Sequence, residues 1–218
     1  MPEPRQQALV AVAWPTGDPP AATIRRWSET GWRPEPVLPD QGALDRAGSK
    51  GRTPPPFQTL LWRDLPPESP GAAIVPDGLP DVADRWAALR LLEHPAWDDT
   101  ARLGLVPQVK QVSFLHPQAD LTVTAFRRHF REHVDVARVH HPAICRYTQH
   151  DVLDAAGDPG LDVQGVSELW FADEASLVER YFAGPDSVAV VRADNREYID
   201  FSGTLSLLVH PSEQRGAR

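Results

Sequence analysis

The sequence predicts an α+β fold built from two βαββαβ units in tandem. Three observations predict it. Residues 109–210 alternate apolar strand-like runs with helical patterns in the order strand, helix, strand, strand, helix, strand. One of those helices carries Val123, Phe126, Phe130, His133 and Ala137 at spacings of 3, 4, 3 and 4, the buried stripe of an amphipathic helix. The N-terminal half has a coarser version of the same rhythm, without a residue-by-residue repeat.

In chain order, Ala8–Trp14 is a short apolar run and reads as a buried strand. Pro15 to Pro20 break it, and a helix follows over 21–30, ended by Gly31. Residues 33–56, rich in Pro, Gly and charge, read mostly as loop. Phe57–Leu65 is a second strand, stopped by Pro66-Pro67, and 72–75 a further short one. Pro80 suits the first turn of a helix, with Asp81 and Asp84 near its positive end. Its inner stripe is Val82, Trp86, Leu89 and Leu92, and Pro95 stops it.

The second half is cleaner. Val109–Leu115 is a strand. Thr122 or Thr124 caps a helix running to about Val139, and Pro142 prevents its continuation. Ile144–Leu153 is a strand, 155–160 a turn, and Gln164–Phe171 a third strand. Asp173 is the N-cap of a helix that breaks at Gly184-Pro185 and restarts to about Arg196. Ser202–Val209 closes the order. This βαββαβ sequence of elements is that of the ferredoxin-like fold. A single open four-stranded sheet leaves a face and edges uncovered, and packing two of them together within one chain covers them. The division expected is 1–106 and 107–218, the first being the more degenerate.

The bulk properties narrow the function classes. The 218 residues allow one large domain or two of about 100 residues each. An apolar share of 41% supplies a real core. A net charge of −8 argues against nucleic acid and anionic membrane surfaces as partners. The lone cysteine, Cys145, excludes an intrachain disulfide. The run 8–14 is too short for a signal-peptide core, and no run reaches a membrane span, so a cytoplasmic protein is expected.

Several blocks resemble one family. They are the run 126–133 (FRRHFREH), Ala137-Arg138, Pro142 and Arg146-Tyr147, then 165–171 (GVSELWF) and 191–200 (VRADNREYID). Together they resemble the EthD-domain pattern of the dimeric α/β barrel superfamily, over about the C-terminal half. The chain differs from it at Asp135, where a proline is usual, and at Ala143 and Ile144, where glycine and tyrosine are usual. The resemblance implies a barrel made of two ferredoxin-like units, here fused, with the N-terminal half as a degenerate second unit and a homodimer as a further option. The wider superfamily includes polyketide cyclases, metal- and flavin-free monooxygenases, decarboxylases and haem enzymes. It implies a small-molecule pocket between sheet and helices more firmly than any reaction.

His133 is the leading catalytic candidate, because a titratable ring in an apolar stripe must be paired or used. Tyr147 is the second, selected by the resemblance as a hydrogen-bond donor to developing oxyanion character. His129, Phe126, Phe130 and Trp170 are expected to hold the substrate. His129, Glu132 and His133 spell H-x-x-E-H, but a zinc protease needs a third ligand and a large cleft. No metal is expected. Glu168 and Trp170 share one face of their strand and Ser167, Leu169 and Phe171 the other. The more apolar face should meet the helices, which leaves Glu168 toward the other sheet or solvent, with a structural ion pair as its expected role. His140-His141 reads as a helix C-terminal pair favoured as imidazolium, Cys145 as a buried inert thiol, and the tryptophans of the first half as core.

The expected function is a cofactor-independent cyclase, dehydratase or decarboxylase acting by proton transfer on a hydrophobic, aromatic or polyketide-like compound. The alternatives are a non-catalytic carrier or accessory protein and a cofactor-free monooxygenase.

Overall fold

The computed structural model describes residues 5–15, 19–48, 57–66, 72–158 and 162–212. In the first half β1 (Gln6–Ala13), α1 (Ala21–Glu29), β2 (Arg33–Pro36), α2 (Gly42–Arg46), β3 (Thr59–Leu65), α3 (Leu79–Val82) and β4 (Arg85–Asp98) follow in order. The second half adds α4 (Thr100–Leu103), β5 (Val109–Leu115), α5 (Val123–His140), β6 (Arg146–Gly157), β7 (Gly165–Phe171), α6 (Glu174–Arg180), α7 (Pro185–Arg196) and β8 (Leu205–Val209).

The strands form one sheet in the order β2-β3-β1-β4-β6-β7-β5-β8, with every pairing antiparallel. The first four strands stand as second, third, first, fourth. The last four repeat that order, which is the ferredoxin-like one. The halves join where β4 pairs with β6, from Ala87 opposite Gly157 to Asp98 opposite Arg146. At the opposite edges Val37 bridges Val209. Leu38 N donates to Leu208 O at 2.8 Å and His210 N to Pro36 O at 3.0 Å. The Gln41 amide completes this seam, donating to Leu208 O at 3.0 Å and accepting from Leu208 N at 2.8 Å. The sheet is thus an almost closed barrel formed within one chain, and closure removes the exposed edges of each half.

Strands buried on both faces explain the apolar runs in the sequence. Leu9, Ala11 and Ala13 of β1 face the barrel interior with Leu89, Val112, Phe114 and Leu207. Ala8, Val10 and Val12 face the outer layer, with Trp14, Trp27, Trp32 and Leu79. The indoles there are packing residues. Trp14 Nε1 donates to Thr59 Oγ1 and Trp27 Nε1 to Asp77 O, both at 2.9 Å.

The helix expected from Pro80 to Leu92 is a single turn, α3, and 85–98 is the 14-residue strand β4. Leu89 and Leu91 point into the barrel and Ala88 into the outer layer. Burial on both faces left hydrophobics at helical spacing by coincidence. Pro95 is accommodated at a register shift between Pro95 and Trp97. Two further corrections concern segments with weak apolar patterns. The span 33–48, expected as loop, contains β2 and α2, and 72–75, expected as a strand, is none; residues 49–56 lie outside the described residues. β6 also runs on to Gly157 through residues expected to turn. The caps hold: Thr122 Oγ1 accepts from Ala125 N at 3.2 Å, and Asp173 from Ser176 N at 2.7 Å.

One end of the barrel interior is charged. Lys110 Nζ lies 2.5 Å from both Glu35 Oε2 and Glu168 Oε2. It is also 4.6 Å from the ring centroids of Trp62 and Trp170. Trp62 Nε1 donates to Glu35 Oε2 and His150 Nε2 pairs with Glu168 Oε1, each at 2.8 Å. Glu168 therefore takes the ion-pair role expected of it, inside the barrel. Burial alone would raise its carboxyl pKa, but the Lys110 charge and the His150 hydrogen bond hold it well below the usual carboxylate range. No helix among the described residues is long and apolar enough to cross a membrane.

Candidate active site between the C-terminal sheet and its helices

α5 lays Phe126, Phe130, His133 and Ala137 onto the C-terminal half-sheet, while Val123, first in the expected stripe, is exposed at the helix start. Close approach is possible because β7 begins with Gly165. A Cβ there would stand 2.9 Å from a ring carbon of Phe130 and 3.1 Å from Phe126. α7 packs beside α5. Between these helices and the sheet is a cavity of about 80 Å³. Ser113, Ser167 and Ser206 form a polar floor, with Ser113 Oγ and Ser206 Oγ 2.8 Å apart. Phe130, Leu169, Val191 and Ile199 supply apolar wall. The enclosed space takes one small ring or a few waters. A porphyrin does not fit this cavity, because sites for large ligands run to several hundred Å³.

His133 stands on the cavity wall, 7% exposed. Its Nδ1 is 2.6 Å from Asp194 Oδ2 of α7. The other oxygen, Oδ1, is 3.3 Å from His129 Nε2. Burial pushes the Asp194 carboxyl up, but the hydrogen bonds from His133 and His129 bring it below its ordinary value. An ionised Asp194 accepts, so the His133 proton belongs on Nδ1 and Nε2 is the ring atom left for a guest.

Tyr147 also lines the cavity, because odd-numbered positions of β6 face the helices. Its hydroxyl accepts from Gln149 Nε2 at 2.9 Å, and Arg131 Nη1 holds Gln149 Oε1 at 2.6 Å. Burial pushes the phenol well above its ordinary pKa, so it stays protonated and keeps a hydrogen to donate. Phe130 is the third expected site residue on the wall.

The other three expected residues are not brought there. Phe126 is fully buried in a neighbouring cluster with Tyr198 and Leu115. His129 stacks on Tyr198, with centroids 4.7 Å apart, and turns to Asp194. Trp170 is one position along from Leu169, so strand alternation points it into the barrel beside Lys110. The H-x-x-E-H reading separates as well, since Glu132 lies out on the helix surface against Arg128. Among the described residues no group of three or more His, Cys, Asp or Glu side chains is placed to hold a metal. Cys145 is buried, and burial pushes its thiol up to about 11.

Two residues of the site escaped sequence reasoning. Asp194 sits 61 positions from His133, and only the block 191–200 hinted that its helix mattered. His141 was read as a cap favoured in its charged form. It is the C-cap of α5, but its ring lines the cavity, gives its Nδ1 hydrogen to Tyr181 O at 2.7 Å, and packs on Tyr181 and Phe182. Burial lowers its pKa to about 4, outweighing the helix terminus. Its folded pKa lies below the unfolded value near 6.5, so the unfolded chain binds the extra proton first. The contribution of His141 to stability should fall by ~3 kcal/mol as pH drops from about 6.5 to 4 and level off below that. Urea melts across this range should show a flatter profile for His141→Gln.

Residues 118–202 match the EthD domain family. No curated protein matches the chain significantly. Among solved structures, an anthrone oxidase-like protein is 11% identical, covering 95% of this chain and 91% of its own at a TM-score of 0.50. A protein from Lactobacillus acidophilus NCFM, provisionally described as a monooxygenase, is 8% identical, with coverages of 95% and 93% and a TM-score of 0.51. A third, provisionally described as the chlorite dismutase TA0507, is 15% identical, with coverages of 95% and 94% and a TM-score of 0.51. At these identities the likeness is one of fold. Residues 118–202 thus resemble the EthD domain family, on a chain with the dimeric α/β barrel fold.

Proposed function

We propose that this protein is a small-molecule enzyme that moves a proton on a hydrophobic, enolisable or phenolic compound. The reaction is of the cyclase, dehydratase or decarboxylase type. The observation that carries this reading is the His133–Asp194 pair at 2.6 Å on the cavity wall. His133 Nε2 takes the proton, and Asp194 steadies the resulting imidazolium and fixes the ring's tautomer. Tyr147 donates to the oxygen on which negative charge develops. Phe130 and Leu169 keep water from the anion. None of these steps calls on a cofactor.

A second reading uses the same first step. The substrate anion is then trapped by dioxygen, as a cofactor-free monooxygenase would do. The apolar wall and the descriptions of two solved relatives, as anthrone oxidase-like and as a monooxygenase, favour keeping it.

Proton transfer can be tested without the natural substrate. Ring deuteration of phloroglucinol in D2O under argon, followed by NMR, should run faster with the protein than in buffer. His133→Gln should abolish the acceleration while still binding the compound. A wild-type rate equal to buffer's would leave a carrier as the reading. Oxygen uptake on admitting air would shift the choice from lyase to oxygenase.

A further inference from the structure

A second and larger cavity, of about 340 Å³, adjoins the first. His141 and Ile144 line both and so lie between them. Three arginines from three elements line the second chamber: Arg102 of α4, Arg138 of α5 and Arg180 of α6. One carboxylate answers them. Asp99 Oδ2 is 2.7 Å from Arg138 Nη1 and 3.1 Å from Arg102 Nη2. Those two guanidinium groups hold the Asp99 carboxyl down at about 2. Arg180 has no ion pair among the described residues.

Nearby acids are engaged elsewhere. Asp98 accepts from Thr100, Glu174 pairs with Arg46, and Asp173 caps α6. The chamber thus carries an excess of positive charge on a chain whose net charge is −8. Most of its remaining wall is apolar: Trp97, on which Arg138 lies at 4.9 Å, with Leu103, Leu105 and Pro142.

We propose that this chamber is the subsite for a carboxylate group on the substrate, reached past His141 by a molecule whose reacting ring lies against His133. The inference rests on the proton-transfer reading and names its substrate class, an aromatic or polyketide-like acid. Arginine suits this role because its planar fork matches a carboxylate's two oxygens. His141, held neutral by burial that outweighs the opposing effect of its bond to Tyr181, stands between the chambers without repelling the arginines or pairing with the acid. The first cavity alone is too small for a compound of several rings or a long side chain. The two together reach the size common for ligand sites.

The test is calorimetric titration with trans-cinnamate and with cinnamyl alcohol, which has the same skeleton and no charge. The wild type should bind cinnamate about tenfold tighter, a modest factor because the arginines are exposed to solvent. The Arg102→Gln/Arg180→Gln variant should bind both compounds alike. Arg138 is left in place because it packs on Trp97. Equal affinities in the wild type, or a preference that survives in the variant, would overturn the subsite. His133→Gln should keep the cinnamate preference. An enzyme that deuterates phloroglucinol without preferring the acid therefore refutes only the subsite. A protein that prefers the acid but exchanges nothing refutes only the catalytic reading.

Discussion

Replacing Lys110 by methionine should destabilise the protein by about 3–5 kcal/mol, the cost of leaving buried carboxylates without their cation. Glu35 and Glu168 converge on Lys110 Nζ at 2.5 Å, and all three side chains are buried inside the barrel. Methionine fills similar space, so the loss is electrostatic. Urea denaturation should show a lower midpoint with an unchanged slope. The pH dependence separates this from simple loss of packing. In the wild type the Glu168 carboxyl is depressed, so its contribution is present above about pH 4.3, the unfolded value, and is lost as pH falls through the lower folded value. In Lys110→Met burial acts unopposed by that cation, and acidification should relieve the strain. Adding Glu35→Gln and Glu168→Gln should restore much of the loss. If Lys110→Met melts like the wild type, the cluster is hydrated and carries little.

The largest expected effect on activity is at His133. Once a turnover substrate is in hand, His133→Gln should lower kcat by about 10²–10⁴-fold, the usual range for a general base. Asp194→Asn should lower it by about 10²–10³-fold, since an amide turned to donate to Nδ1 moves the imidazole proton to Nε2, where the lone pair is needed. Both should leave KM within a few fold, because the groups act on charge that develops in the transition state. Tyr147→Phe should cost less, through one hydrogen bond. Loss confined to KM would make His133 a binding residue.

Much of the second half was legible because each element there shows one period. α5 could be read from its stripe, and His133 stood out as an imidazole among phenylalanines. β7 could be split into faces by alternation. That placed Glu168 away from the helices, although the same rule also removes Trp170 from the ligand. β4 was illegible for the opposite reason: with both faces buried, its alternation has no polar half, and its leucines happened to fit a helix. β2, four residues with two prolines, has no pattern of its own and exists because β3 and the seam with β8 hold it. His141 was misread because the sequence shows a helix terminus but not the aromatic residues of α6's end that bury it.

The sequence by itself determined the order of elements in the C-terminal half, the family which that half resembles, and the inward-facing histidine, since local periodicity and capping chemistry act over a few residues. Only the tertiary structure decided what meets across the chain. Asp194 against His133, Glu35 against Lys110 and three arginines around one cavity each join elements far apart in sequence. Such partners are chosen by packing geometry, because a hydrogen bond or a charge acts across a few ångströms of space whatever the separation along the backbone.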